Sequence, residues 1–306
     1  MSENYVYYQG ELVKEDDVKI SIRSKAFNYG LGVFEGIRAY WDDENEQLYA
    51  FKLKDHYERL KQSAKTVNLD FDLSVEDLCK GTVELLKKNN CRQTTYIRPI
   101  VYNDSLDIGP TLDHADVKVV MYTQPLNKYA GKSELSVGVS SWRRLSDNQL
   151  PPRTKATAAY LNSALAALET KRAGFDEAIF LTEGNHVCEG SGENIFLFKK
   201  GKLITPSTSD NILEGITREL VIKLAQEELG LEVVERSVSR TELYAADEVF
   251  FSGTAMEVTP VVAVDHRIVG TGHEGEVCRK IKDLFFDLTL GKNPKYVEDC
   301  TPVYDK

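Results

Sequence analysis

The chain has 306 residues, more than one compact core usually encloses, so two domains are expected. Hydrophobic residues make up 42% and charged residues 28%, the balance of a globular enzyme, which argues against long disordered arms. A formal net charge of -10 without a basic cluster disfavours nucleic acid and anionic membranes as partners and leaves small solutes. The start, Met1-Ser2-Glu3-Asn4-Tyr5-Val6, has no basic segment followed by an apolar one, and no window approaches the ~20 apolar residues of a membrane span, so a cytoplasmic location is expected. Cys79, Cys91, Cys188, Cys278 and Cys300 are scattered without a Cys-x-x-Cys pair, which points to free thiols rather than disulfides or zinc.

Along the chain, Tyr5 to Val13, Val33 to Tyr40 and Leu48 to Phe51 alternate apolar and polar residues and predict an antiparallel meander. Asp55 is the expected N-cap of a helix over His56 to Val67, where Leu60, Ala64 and Val67 recur at helical spacing. Ser74 opens a second helix through Leu86, with Glu76 and Asp77 in its first turn. Strands over Thr95 to Tyr102 and Val117 to Tyr122 follow. Both periodicities lapse around Pro125, Asn127, Gly131 and Lys132. The expected division is a small domain over 1–124, a linker over 125–134 and a larger domain over 135–306. Beyond the linker, Leu135 to Trp142, Glu177 to Leu181, Asn194 to Phe198 and Glu248 to Ser252 read as strands. Tyr160 to Arg172, Thr217 to Leu229 and Glu276 to Leu290 read as helices, stopped by Gly174, Gly230 and Gly291. Strands and helices mix without regular βαβ alternation, an α+β pattern.

Three blocks carry chemistry. Lys155 stands between Pro151-Pro152 and the helix beginning at Tyr160, a junction where an amine can enter a cleft. Glu189 precedes Gly190-Ser191-Gly192, and Gly215-Ile216-Thr217 opens a helix whose free N–H groups suit a phosphate dianion. An amine, a carboxylate for a ring nitrogen and a phosphate-binding helix start are what pyridoxal phosphate requires. Tyr160 adds a phenol for the ring oxygen, Arg59 a positive charge, and Ser252-Gly253-Thr254-Ala255 a further hydroxyl and amide. Alone, each has a plainer reading as a solvated charge, a partly buried aromatic, a turn or an N-cap; they gain weight because they fit one cofactor.

With these blocks in order, the chain resembles the class IV, fold type IV, pyridoxal phosphate transaminases, most closely the branched-chain amino acid aminotransferases. The resemblance covers nearly the whole length. It is carried by Tyr29 to Arg38, Arg59-Leu60, Tyr96-Ile97-Arg98-Pro99, Ser140-Ser141-Trp142, Lys155 with Tyr160-Leu161-Asn162-Ser163, Glu189 to Asn194, Gly215 to Arg218, Ala246 to Val249, Ser252 to Ala255 and Thr259-Pro260. It implies a two-domain α+β subunit with the cofactor site between a small N-terminal and a larger C-terminal domain, working as a homodimer or larger assembly. Lys155 would hold the cofactor and shuttle the proton, Glu189 would pair with the ring nitrogen and Tyr160 with the ring oxygen. Arg59, Ile216, Thr217 and Thr254 would cradle phosphate, with Leu213 packed on the ring. Phe34, Gly36, Tyr96, Arg98, Tyr129 and Ala255 match substrate-pocket positions, and Tyr29 would reach in from the partner.

The implied reaction is ping-pong transamination between branched-chain L-amino acids and 2-oxoglutarate. Ala158-Ala159 stand where the family usually shows glycine or asparagine, the loop from Asn103 to His114 lacks its glycine-rich form, and Leu126 replaces a common tryptophan. These departures keep open an (R)-amine or D-amino acid transaminase on the same scaffold. A lyase of the aminodeoxychorismate type is a further alternative, against which Tyr29 to Arg38 stands.

Overall fold

The structure, a computed structural model, describes residues 4–126 and 131–305; Tyr129 of the expected substrate pocket lies outside them. The chain forms two compact units. One comprises 1–127, 154–158 and 287–306, the other 128–153 and 159–286. Sequence pattern places a single boundary at 125–134, whereas the chain returns to the first unit twice, because Ala156 bridges to Val33 and the last strand pairs with an N-terminal one. The last residues of the expected larger domain thus lie with the small one.

In chain order the first unit carries β1 (Tyr5–Tyr8), β2 (Glu11–Lys14), α1 (Lys25–Tyr29), β3 (Gly32–Phe34), β4 (Ile37–Asp42), β5 (Gln47–Phe51), α2 (Leu53–Thr66), α3 (Val75–Lys88), β6 (Thr95–Asn103) and β7 (Val117–Pro125). The second carries β8 (Leu135–Arg143), α4 (Tyr160–Arg172), β9 (Glu177–Leu181), β10 (Val187–Gly190), β11 (Asn194–Lys199), β12 (Lys202–Thr205), α5 (Ile216–Glu227), β13 (Glu232–Glu235), α6 (Arg240–Tyr244), β14 (Glu248–Gly253), β15 (Glu257–Val264) and β16 (Arg267–Ile268). After α7 (Glu276–Thr289) comes β17 (Cys300–Pro302). The first sheet runs β17-β5-β4-β6-β7-β1-β2, with β3 also on β6, and all its pairs are antiparallel. The second runs β10-β9-β8-β15-β14-β11-β12-β13 and is mixed, with β8 parallel to both neighbours.

Local chemistry explains some element ends and not others. Ser74 and Asp77 form a reciprocal capping box at the start of α3. Asp55 does not cap α2. The helix begins earlier, at Leu53, with Lys52 left-handed before it, and the Lys52 ammonium is clasped by Asp55 (2.8 Å) and Asp299 (3.1 Å). The strand expected over Val33 to Tyr40 is interrupted at Glu35-Gly36, yet β3 and β4 keep one register on β6: Phe34 faces Ile100 and Ile37 faces Ile97. Strand alternation then fixes two faces. Val33, Ile37 and Ala39 enter the core beneath α2 with Leu60 and Ile97, and Glu35 shares their parity. Phe34, Gly36, Arg38, Tyr96 and Arg98 share the other.

Candidate active site

In the first unit, Lys155 is held as backbone before it acts as a side chain. The Phe34 N–H donates to the Lys155 carbonyl (3.0 Å), the Lys155 N–H donates to Ser63 Oγ of α2 (3.3 Å), and Thr157 Oγ1 donates to the Gly30 carbonyl (2.6 Å). Its ammonium lies 5.4 Å from the centroid of the Phe34 ring. On the same sheet face the Arg98 guanidinium stacks on Phe34 at 4.3 Å and donates through Nη2 to the Tyr96 phenol oxygen (2.9 Å). Gly36 makes room for that phenol, since a Cβ there would overlap the Tyr96 hydroxyl. Arg98 Nε is buried and has no hydrogen-bond partner among the described residues. Lys155, Phe34, Gly36, Tyr96 and Arg98 thus form one cluster.

Arg59 stands on α2 over the core-parity face. It grips Glu35 with two bonds, Nε to Oε1 (2.6 Å) and Nη2 to Oε2 (2.8 Å), and His56 Nδ1 meets Oε2 at 2.8 Å. Glu35 is 0% exposed. Burial alone would raise its carboxyl, but the Arg59 charge and the His56 and Arg59 hydrogen bonds hold it well below the usual carboxylate range. Burial, with the Arg59 and Lys155 charges, pushes the His56 imidazole below its ordinary value against the opposing pull of Glu35. The positive charge expected of Arg59 is therefore already shared with a carboxylate. No motif gives Glu35 or His56 a role of its own; the parity of Glu35 with Val33 and Ile37 was the available signal.

Tyr29 ends α1, where the Gly109 N–H donates to its phenol oxygen (3.2 Å). It belongs with the loop after β6, which Lys25 also anchors through Asp107 (2.9 Å) and Thr111 Oγ1 (2.8 Å). The carbonyl of Leu126 accepts from the buried Arg38 guanidinium (3.0 Å).

In the second unit, Tyr160, Glu189 and Leu213 line one cavity of about 30 Å³ with Arg144, Glu193 and Asn194. Glu189 is on β10 rather than in a free turn. Its Oε1 pairs with Arg144 (2.8 Å), and its Oε2 accepts from the Leu213 N–H (3.0 Å) and Asn194 Nδ2 (3.2 Å). Arg144 lies outside the blocks singled out in the sequence, because its only signal is its partner. Ile216 and Thr217 form the buried first turn of α5, whose N-cap Gly215 provides no side-chain cap. Its first N–H groups are those a phosphate would use. Thr254 and Ala255 lie in the turn between β14 and β15, and the neighbouring Ser252 Oγ is buried without a partner among the described residues. The donor set, taken from each unit by itself, fits pyridoxal phosphate: an amine, an ion-paired carboxylate, a phenol and an uncapped helix start.

Known proteins agree. The family model for class IV aminotransferases matches residues 32–264. A probable branched-chain-amino-acid aminotransferase of Aquifex aeolicus is 46% identical over 306 residues, covering 100% of this chain and 98% of that protein. The crystal structure of a branched-chain aminotransferase from the archaeon Thermoproteus uzoniensis with norvaline has a TM-score of 0.94 at 44% identity, covering 98% of this chain and 99% of the other. Another solved branched-chain amino acid aminotransferase, complexed with N-(5'-phosphopyridoxyl)-L-glutamate, has a TM-score of 0.93 at 34% identity, covering 99% of this chain and 100% of the other. The mixed sheets and helices seen here are those of fold type IV, and the chain belongs to the class IV aminotransferases, transferases that depend on pyridoxal phosphate.

Proposed function

We propose that the protein exchanges amino groups between branched-chain L-amino acids (leucine, isoleucine, valine) and 2-oxoglutarate in two half-reactions of a ping-pong cycle. The observation that carries this reading is the Phe34–Tyr96–Arg98 cluster: two aromatic walls for an aliphatic side chain, and a half-buried guanidinium whose buried Nε has no partner among the described residues. The names of the relatives and the glutamate adduct of one of them support it.

When bound, pyridoxal phosphate supplies an electron-withdrawing ring that eases loss of the substrate's α-proton. The chain supplies the rest. Lys155 would hold the cofactor at its carbonyl carbon, C4′, and, once the substrate amine has taken its place there, its freed amine would carry the proton between substrate Cα and C4′. Glu189, fixed by Arg144, Asn194 and the Leu213 amide, keeps the ring nitrogen protonated, and Tyr160 donates to the ring oxygen. Ile216, Thr217, Thr254 and Arg59 take the phosphate, Leu213 packs on the ring, and Ala255 borders the substrate. Tyr129 completes the pocket in this reading.

The same reading makes the enzyme a homodimer or larger homo-oligomer, with Tyr29 serving the neighbouring site. Support comes from Ile22 (79% exposed), Phe27 (75%) and Ile108 (96%), since the Arg23 Nη2 bond to the Leu106 carbonyl (3.1 Å) ties their segments together. Apolar exposure of this kind marks interaction surfaces. Among the described residues no helix is long and apolar enough to cross a membrane; a cytoplasmic location is proposed with the reaction.

Arg98→Met tests the reading. The half-reaction with 2-oxoglutarate or glutamate should weaken by about 2–4 kcal/mol, the scale for breaking a desolvated charge pair, and that with isoleucine much less. The conversion between cofactor forms, followed by its absorbance band, measures each separately. Equal losses would remove the dual-substrate role, and preference for simple (R)-amines in the unaltered enzyme would remove the branched-chain reading.

A further inference from the structure

Glu35 occupies a position where the fold asks for an aliphatic side chain. It shares strand parity with Val33, Ile37 and Ala39, all fully buried, and is itself 0% exposed. A buried ion pair is seldom more stabilising than well-packed apolar residues of the same volume, so stability gives little reason for a carboxylate here. What Glu35 provides that leucine would not is a fixed guanidinium. Arg59 is gripped along one edge by two bonds (2.6 and 2.8 Å), and His56, three residues earlier on α2, closes on the same Oε2 at 2.8 Å. Because guanidinium is planar, holding one edge sets the direction of the whole group.

The contacts form a closed circuit. Ser63, one turn beyond Arg59 on α2, accepts from the Lys155 N–H, and the Lys155 carbonyl accepts from the N–H of Phe34, the residue before Glu35. Glu35 therefore ties the helix that presents Arg59 to the strand that holds Lys155, all within the first unit.

We infer that Glu35 is a positioning residue of the cofactor site, fixing Arg59 for the phosphate at a set distance from the Lys155 amine. This rests on the assignment of Arg59 to the phosphate. Glu35 is fully buried and acts through Arg59, with His56 and the Gly36 N–H holding the carboxylate in place.

The test separates phosphate recognition from general loosening. Full-chain protein is reconstituted with pyridoxal phosphate or with pyridoxal, the same ring without phosphate, and each affinity is read from the visible band. Glu35→Gln should weaken pyridoxal phosphate about 10- to 100-fold, the range for removing a residue that orients a ligand-binding group. Pyridoxal should be left almost unchanged, because no phosphate is there to lose its orientation. Glu35→Asp keeps the charge, and with it the fold, but is one methylene too short to hold both guanidinium nitrogens; it should show the same selectivity at smaller amplitude and decides the matter if Glu35→Gln does not fold. Equal losses for both ligands, or none, would overturn the inference. Arg59→Gln separates the two assignments. If it is selective for the phosphate and the Glu35 variants are not, the inference alone falls; if it is not selective, the assignment of Arg59 falls and the inference with it.

Discussion

A carboxylate taken wholly out of water keeps its charge only if its neighbours replace the lost solvation, and at Glu35 they do so with three bonds from the Arg59 and His56 side chains and one from the Gly36 N–H (3.3 Å). Since its carboxyl titrates lower in the folded protein than in the unfolded chain, Glu35 contributes stability in full above about pH 4.5, the value the unfolded residue has, and loses it as the pH falls below that. Against a His56→Gln background, which removes the neighbouring imidazole, the wild-type carboxylate should exceed Glu35→Gln in unfolding free energy at pH 7. That margin should shrink by about 1.4 kcal/mol per pH unit below the ordinary carboxylate range. Urea titrations between pH 7 and 3 measure it; a margin independent of pH would mean that shape rather than charge matters at this position. Glu189 is tied differently, by Arg144 and two N–H donors. Glu189→Gln turns an amide towards one of those donors and cannot keep a ring nitrogen protonated, so kcat should fall much further than KM rises. Steady-state kinetics with leucine decide it, and an unchanged kcat with a raised KM would remove Glu189 from the chemistry.

At the scale of elements, register turns composition into a side-chain cluster. β3 and β4 share one register on β6, so Gly36 lies across from Arg98 and leaves the space that the Tyr96 phenol fills. Gly36→Ala should leave the fold intact, because the overlapping atom is the far end of a side chain that can swing aside. Swinging breaks the Tyr96–Arg98 hydrogen bond, so KM for both amino acid and oxo acid should rise about 10-fold while cofactor affinity stays the same. Isothermal titration with cofactor and kinetics with valine check the two halves of that statement; a loss of cofactor would refute it. What could be read in the sequence follows the same division between local and distant causes. The α3 start was legible because Ser74 and Asp77 complete a motif within one turn; α4 spans Tyr160–Arg172 as read, but it buries Ser163, Ala166 and Thr170 and leaves Leu161 and Leu168 exposed, so the leucine spacing did not mark its inner face. The parities of Phe34 and Arg98 were legible too, but not which strand would lie beside which. Asp55 misled as a cap because its charge is drawn to Lys52, itself held by Asp299, 247 residues away. Glu35 and Arg144 escaped notice for the same reason, since neither has a meaning until another element supplies its partner.

For the whole molecule, the last segment matters most to the first unit. β17 adds to the edge of β5 with Cys300 opposite Phe51, the Val303 N–H donates to the Leu48 carbonyl (2.9 Å), and Val303 is buried among the residues of the first core. Tyr304 is fixed at both ends: its backbone N–H and carbonyl bond the Gln47 amide (2.9 and 2.7 Å), and its phenol donates to the Cys91 carbonyl (2.7 Å) under the Arg92 guanidinium. A first unit assembled from three stretches of chain is complete only when residues 300–306 are present. Removing them uncovers the β5 edge, deletes a buried valine and takes both Tyr304 bonds from the Gln47 amide, which keeps only the Leu48 N–H, together costing about 3–5 kcal/mol. Hydrogen exchange on the truncated chain should show lost protection in β4 and β5, with β14 and β15 unchanged. Lys155 is held by β3 of the same unit, so cofactor retention on dialysis should fall as well. Equal loss of protection in both sheets would show that the segment acts on the whole chain and not on the first unit, and an unaltered exchange pattern would show that β17 only decorates an edge that is stable without it.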